Sequence, residues 1–188
     1  MYAKYIKRGL DFVLSLLALI GLSPIMLIVY ILVRIKLGKP AIFKQKRPGK
    51  NEKLFTLYKF RTMTDEKDEN GKLLPDEIRL TKFGKFLRST SLDEFPQFVN
   101  VLKGDMSLVG PRPYLPREEK DMGYYYYYIT QCKPGITGLW QVSGRSELCF
   151  DERLDLDLQY YKEDVGVLNN LGLAAKTVIK TLKKEGAA

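Results

Sequence analysis

Histidine is absent from this 188-residue chain, and cysteine occurs only twice, at Cys132 and Cys149. The first absence excludes Ser-His-Asp and Cys-His catalysis, histidine general bases and histidine metal ligands together. The two thiols are too far apart in sequence for a redox or zinc motif. They fit a reduced, cytoplasmic setting, with a single disulfide left open. Any nucleophilic or acid–base step therefore falls to Asp, Glu, Lys, Tyr, Ser or Cys. Acidic residues are also in deficit, 22 against 31 Lys and Arg, which leaves a formal net charge of +9. That balance favours anionic partners: nucleic acid, anionic lipid or phosphorylated substrates. Single-strand nucleic-acid binding would need stacking aromatics interleaved with basic residues. The tyrosine run Tyr124 to Tyr128 lacks that interleaving, so no nucleic-acid partner is expected.

Charge is missing altogether from one long stretch, Phe12 to Val33, in which Ser15 and Ser23 are the polar interruptions. As a helix it would measure roughly 33 Å, enough to cross a bilayer core. It is too long for a cleaved signal peptide, and no small-residue cleavage site closes it. Pro24 in its middle removes a helix hydrogen bond and forces a kink. Ser23 beside it can offer its hydroxyl to the freed backbone group. Both flanks are basic, with Lys4, Lys7 and Arg8 before and Arg34, Lys36 and Lys39 after. Positive charge on both sides holds both ends in the cytoplasm. The expected anchor, residues 1–39, is a re-entrant helix-break-helix in the phospholipid of the inner (cytoplasmic) membrane, with a kinked span as the alternative. Residues 40–188 then form one unit on the cytoplasmic face.

The rest of the chain predicts an α+β, mostly α, membrane-associated domain. Ala41 to Lys46 and Leu54 to Met63 read as strands, and Pro48-Gly49-Lys50-Asn51 between them makes a β-hairpin. Asp65 to Glu77 is a charged, exposed loop. Leu80, Phe83 and Leu87 mark a short amphipathic helix. Phe95, Phe98, Val99 and Leu102 recur at helical spacing as a buried face, and Gly104 ends that helix. Gly110 to Pro113 and Pro134 to Gly138 are irregular loops, the second leading into a short strand, Leu139 to Val142. Asp151 to Tyr161 and Leu168 to Leu182 are helices. The basic end of the second suits an anionic membrane surface or a packed helix with solvated lysines.

The most informative stretch is Ser91-Leu92-Asp93-Glu94-Phe95-Pro96. One reading is a capping box, with Ser91 at the N-cap and Glu94 at N3. Proline is tolerated only in a first helical turn, so Asp93 and Glu94 sit at the positive helix end. That position favours the ionised carboxylate, an acceptable nucleophile toward phosphorus. Adjacent carboxylates can also share a hard cation such as Mg²⁺. Phosphate contacts would come from Arg88, from Arg112 between Pro111 and Pro113, and from Arg145 after Gly144, because guanidinium offers a bidentate fork. Surface ion pairing is the competing account of each arginine.

Several long segments then occur in order. They are Lys59-Phe60-Arg61-Thr62-Met63; Arg88 through Gln97; Asn100-Val101-Leu102-Lys103-Gly104-Asp105-Met106-Ser107-Leu108-Val109-Gly110-Pro111-Arg112-Pro113; and Pro134-Gly135-Ile136-Thr137-Gly138 with Gln141-Val142-Ser143-Gly144-Arg145. Together they resemble the signatures of the bacterial sugar transferase family, the monotopic polyprenyl-phosphate phosphoglycosyl transferases, and its small members in particular. The likeness covers nearly the whole chain, including Ser23-Pro24. It implies Asp93 as nucleophile, Glu94 as its acidic neighbour and Mg²⁺ held at the pair. It implies donor contacts at Arg88, Arg112 and Arg145, with Lys59 and Arg61 less firmly placed. The implied substrates are a UDP-sugar and a polyprenyl (undecaprenyl) phosphate, with UMP released as a covalent aspartyl phosphosugar forms. Tyr114 to Cys132 matches no signature. The sugar, the pathway (capsule, O-antigen, exopolysaccharide or glycoprotein glycan) and the oligomeric state, a homodimer included, stay open. The competing class is a bitopic anchor or scaffold whose basic domain binds lipid or a partner.

Overall fold

The computed structural model describes residues 6–144, 147–163 and 166–183, and every structural statement below concerns those residues. Helix α1, Lys7–Lys36, carries the whole apolar run as one continuous element with Pro24 inside it. Pro24 has no N–H for the carbonyl four residues back, Ile20 O. Ser23 Oγ donates to that same carbonyl at 2.8 Å. The hydroxyl thus repairs the bond the proline removes.

Only the ends of α1 are buried. Asp11 and Ser15 at one end, Val29 and Val33 at the other, face the protein. Phe12, Leu17, Ile20, Leu27 and Ile28 between them are exposed. At the first end Asp11 accepts the Leu108 amide at 3.0 Å, and Lys7 donates to Ser107 Oγ and to Val109 O. Arg8 donates to the Val101 and Leu102 carbonyls.

Strands β1, Ile42–Pro48, and β2, Leu54–Phe60, form the expected antiparallel hairpin, paired from Ile42↔Phe60 to Pro48↔Leu54. The charged segment after β2 is mostly exposed and folds back on itself through bridges Lys67↔Leu73 and Met63↔Leu80, with one helical turn, α2, Asp76–Arg79. Helix α3, Lys82–Ser89, is capped by the Thr81 hydroxyl, which accepts from Gly84 N at 3.0 Å. It buries Leu87 against Phe60, Val29 and Val33.

Helix α4, Gln97–Lys103, ends at Gly104 in the left-handed region (φ +89°) as its glycine predicts. Its buried side chains are Gln97, Asn100 and Val101, whereas Phe95, Phe98, Val99 and Leu102 are only half-buried. The expected apolar stripe is therefore not the innermost face. The reason is β2, whose backbone needs partners: Tyr58 N donates to Asn100 Oδ1 at 3.1 Å and Asn100 Nδ2 donates to Thr56 O at 2.7 Å.

Two further expectations are corrected. Gly135–Thr137 is not loop but strand β4, parallel to β3, Ser107–Val109. Leu139–Ser143 is not a strand but helix α7. The cause is backbone proximity. A Cβ on Gly110, Gly135 or Gly138 would collide with main-chain atoms of the facing segment. Three glycines let the two segments approach closely enough to pair, which no alternation of side chains announces.

Between β3 and β4 run α5, Glu119–Met122, and the tyrosine helix α6, Tyr124–Ile129. Helices α8, Phe150–Lys162, and α9, Val167–Lys183, close the chain as expected. Val109, Val142, Tyr160 and Leu173 form one cluster among β3, α7, α8 and α9. Tyr114, Met122, Ile129 and Leu154 form another beside it.

Candidate active site

Asp93 lies in a single 3-10 turn, Leu92–Glu94, between α3 and α4. Ser91 opens that turn with φ +55°, a left-handed conformation that a serine adopts at a cost of roughly 1 kcal/mol. Its side chain makes no capping hydrogen bond, so the turn is not a capping box. The sharp reversal carries Asp93 inward, to 6% exposure, while Glu94 stays half-buried.

Lys59, from β2, reaches both carboxylates: its Nζ lies 2.7 Å from Glu94 Oε1 and 3.9 Å from Asp93 Oδ2. Arg88 approaches from the last turn of α3, where its Nε donates to Thr62 Oγ1 at 3.1 Å. Gly84, one turn earlier on the same helix, makes this possible, because any Cβ there would strike the Thr62 carbonyl. Burial raises the Asp93 carboxyl to about 6, with Glu94 adding to the rise and Lys59 and Arg88 opposing it. A helix end by itself favours the ionised form; desolvation, which the local sequence does not reveal, opposes it. Asp93 is still mostly ionised at neutral pH, and more basic than an exposed aspartate.

The structure thus brings Asp93, Glu94, Lys59 and Arg88 together. Arg61 is placed differently. It is buried, with Nε donating to Met63 O, Nη1 to Lys39 O and Nη2 paired with Asp65, so it ties the link between α1 and β1 to the segment after β2. Arg112 is exposed and lies over Trp140 at 5.4 Å, with Arg153 over the same ring at 5.2 Å. Arg145 lies outside the described residues.

Sequence reasoning missed Arg47, Thr62, Tyr114 and Asp157. Arg47 is buried and donates from Nη1 to Pro113 O at 2.8 Å. Burial first, and then Arg112, lower it to about 10. Asp157 accepts from Arg112 N and from Tyr114 OH. Nothing in the sequence separates Asp157 from its acidic neighbours on α8, Asp151, Glu152 and Asp155. The one available signal was the single Trp at residue 140, beside the glycine-rich segment.

Among the described residues no three His, Cys, Asp or Glu cluster as a metal cage. Two adjacent carboxylates suit a hard cation that also takes phosphate oxygens.

The bacterial sugar transferase family model matches residues 2–184. The chain belongs to that family. Among its relatives, a bacterial sugar transferase of Bacillus subtilis, an uncharacterized protein named EpsL, is 45% identical over 96% of this chain and 89% of its own length. The undecaprenyl-phosphate galactose phosphotransferase of Salmonella typhimurium is 39% identical over 98% of this chain but 42% of its own length. The UDP-glucose:undecaprenyl-phosphate glucose-1-phosphate transferase of Klebsiella pneumoniae is 43% identical over 82% of this chain and 34% of its own. The chain therefore spans most of the Bacillus sugar transferase and less than half of the other two.

Proposed function

We propose that this sugar transferase moves a phosphosugar from a UDP-sugar to polyprenyl (undecaprenyl) phosphate at the inner membrane's cytoplasmic face, as a first membrane step in glycoconjugate synthesis. The observation that carries the reading is the buried Asp93 carboxylate, raised toward neutrality and flanked by Glu94, Lys59 and Arg88. An Asp93 oxygen attacks the sugar-linked phosphorus. The bond from that phosphorus to the bridging oxygen breaks, and UMP leaves with the electron pair. Polyprenyl phosphate then attacks the aspartyl phosphosugar, the Asp93–phosphorus bond breaks, and the carboxylate is regenerated. Desolvation makes Asp93 the better nucleophile, while Lys59 and Arg88 offset the charge that develops on the phosphates.

Asp93 and Glu94 would hold Mg²⁺, which supplies charge neutralisation to a diphosphate when bound. Lys59 sits on the same two carboxylates and must give way to the cation or share Glu94 with it. Arg112 and Arg145 complete the donor contacts.

A re-entrant α1 fits this chemistry, because the acceptor's phosphate sits at the membrane surface. Both ends of α1 pack on the protein while its middle is exposed, and a bend at Ser23-Pro24 would return both ends to one face of the membrane. A scaffold function would leave a buried carboxylate, its half-buried acidic neighbour and an opposing lysine without a task.

The test is incubation of the purified chain with a panel of UDP-sugars, Mg²⁺ and undecaprenyl phosphate, reading UMP and the intact mass of the protein. Turnover with a phosphosugar adduct on Asp93 is the expected result, and Asp93→Asn abolishes both. No UMP from any sugar, or UMP release unaffected by that substitution, would overturn the mechanism.

A further inference from the structure

We propose that Asp157 is a positioning residue for the UDP-sugar: it fixes the backbone of the Pro111-Arg112-Pro113 loop and so sets where the Arg112 guanidinium points. The inference rests on the reading above only in taking Arg112 as a contact to the donor's diphosphate.

Pro111 and Pro113 have no N–H. The Arg112 amide is therefore the one backbone donor in that tripeptide, and it goes to Asp157 Oδ2 at 3.2 Å. The same oxygen accepts from Tyr114 OH at 2.9 Å. A single carboxylate oxygen thus holds the residues on both sides of Pro113. Arg47 holds the other face of the loop through Pro113 O. With its backbone fastened twice, Arg112 keeps its guanidinium exposed and stacked on Trp140, free for a phosphate.

Stability alone does not account for Asp157. It is fully buried on α8, its Oδ1 has no hydrogen-bond partner, and burial raises its carboxyl to about 7. Its burial leaves one oxygen uncompensated, so what it supplies is the acceptor for two donors of the loop. What an apolar group could not do is accept the Arg112 amide. The residue reaches the substrate only through Arg112, so it is not catalytic.

The decisive experiment is a double-substitution cycle with the full chain, reading UDP affinity by calorimetry and the separate KM values for UDP-sugar and undecaprenyl phosphate. Asp157→Leu, which keeps the branching but has no acceptor, and Arg112→Ala should each weaken UDP and raise the donor KM about tenfold, with the acceptor KM unchanged. The double variant should lie within about twofold of Arg112→Ala, because the two residues act as one unit. Asp157→Asn, which keeps an acceptor oxygen, should restore most of the donor affinity. Tyr114→Phe, which removes the second bond to that oxygen and leaves the Arg112 amide bonded, should raise the donor KM about two- to threefold, less than the loss above, and tests the idea even if the leucine variant fails to fold. Additive losses, a fall in kcat with both KM values unchanged, or a tenfold donor defect in Tyr114→Phe would each overturn the proposal. Because UDP binding is read without turnover, coupled binding with no UMP release would sink the transferase mechanism and leave the role of Asp157 standing.

Discussion

The Asp93 carboxyl sits above its ordinary range because water has been taken from it and Glu94 lies alongside. A folded pKa of about 6, against about 3.9 unfolded, means that the folded chain holds the proton more tightly. Stability is therefore lost as pH rises from about 4 through about 6, and the loss is complete above that. At about 1.4 kcal/mol per pH unit the penalty is on the order of 3 kcal/mol. Asp93→Asn should melt several degrees higher than wild type at pH 7.5 in detergent without divalent cation. The gain should shrink toward pH 4. An asparagine variant that melts lower at pH 7.5 would show that the carboxylate is better compensated than its burial implies. Lys59 works in the same place: it opposes the rise at Asp93 while bonding Glu94, so one cation serves two acids of different burial.

At the scale of elements, the site depends on how closely α3 approaches the segment after β2. Gly84 faces the Thr62 carbonyl, and Arg88 bonds the Thr62 hydroxyl one turn later. Gly84→Ala should push α3 outward and cost about 1–3 kcal/mol, as overpacking does, with turnover reduced because Arg88 moves with the helix. Gly172, on α9, has open space around it. Gly172→Ala should be neutral or stabilising by up to about 1 kcal/mol and serves as the control in the same thermal melts. Equal effects at the two positions would mean that the close approach to Thr62 is not tight. The parallel pairing of β3 with β4 rests on the same physics, with Gly110, Gly135 and Gly138 removing the side chains that would hold the backbones apart.

For the whole molecule the question is what covers the middle of α1. Its middle exposes Phe12, Leu17, Ile20, Leu27 and Ile28, a continuous apolar surface of a size that soluble monomers rarely present. Pro24→Ala restores the amide donor to Ile20 O and favours a straight helix. An impermeant label on an introduced N-terminal cysteine, applied to intact cells, should miss the native chain and reach the Pro24→Ala variant. Labelling of the native chain from outside would show a full span and contradict the re-entrant reading.

By itself the sequence determined whatever depends on local pattern. The apolar run with its Ser23-Pro24 interruption, the β1–β2 hairpin, α3, the Gly104 stop and the two C-terminal helices all follow from periodicity and turn chemistry that neighbours do not override. The Asp93-Glu94 pair was legible for the same reason, as two acids in a short stretch bounded by Ser91 and Pro96. Only the tertiary structure decided the rest. It selected Gln97, Asn100 and Val101 as the inner face of α4, because β2 needed hydrogen-bond partners. It paired β3 with β4 through glycines whose value lies in having no side chain to read. It turned Arg61 into a strut and made Asp157 the anchor of a loop 45 residues away. A polar side chain's role follows from where its partners fall, and partners far apart in sequence are set by packing.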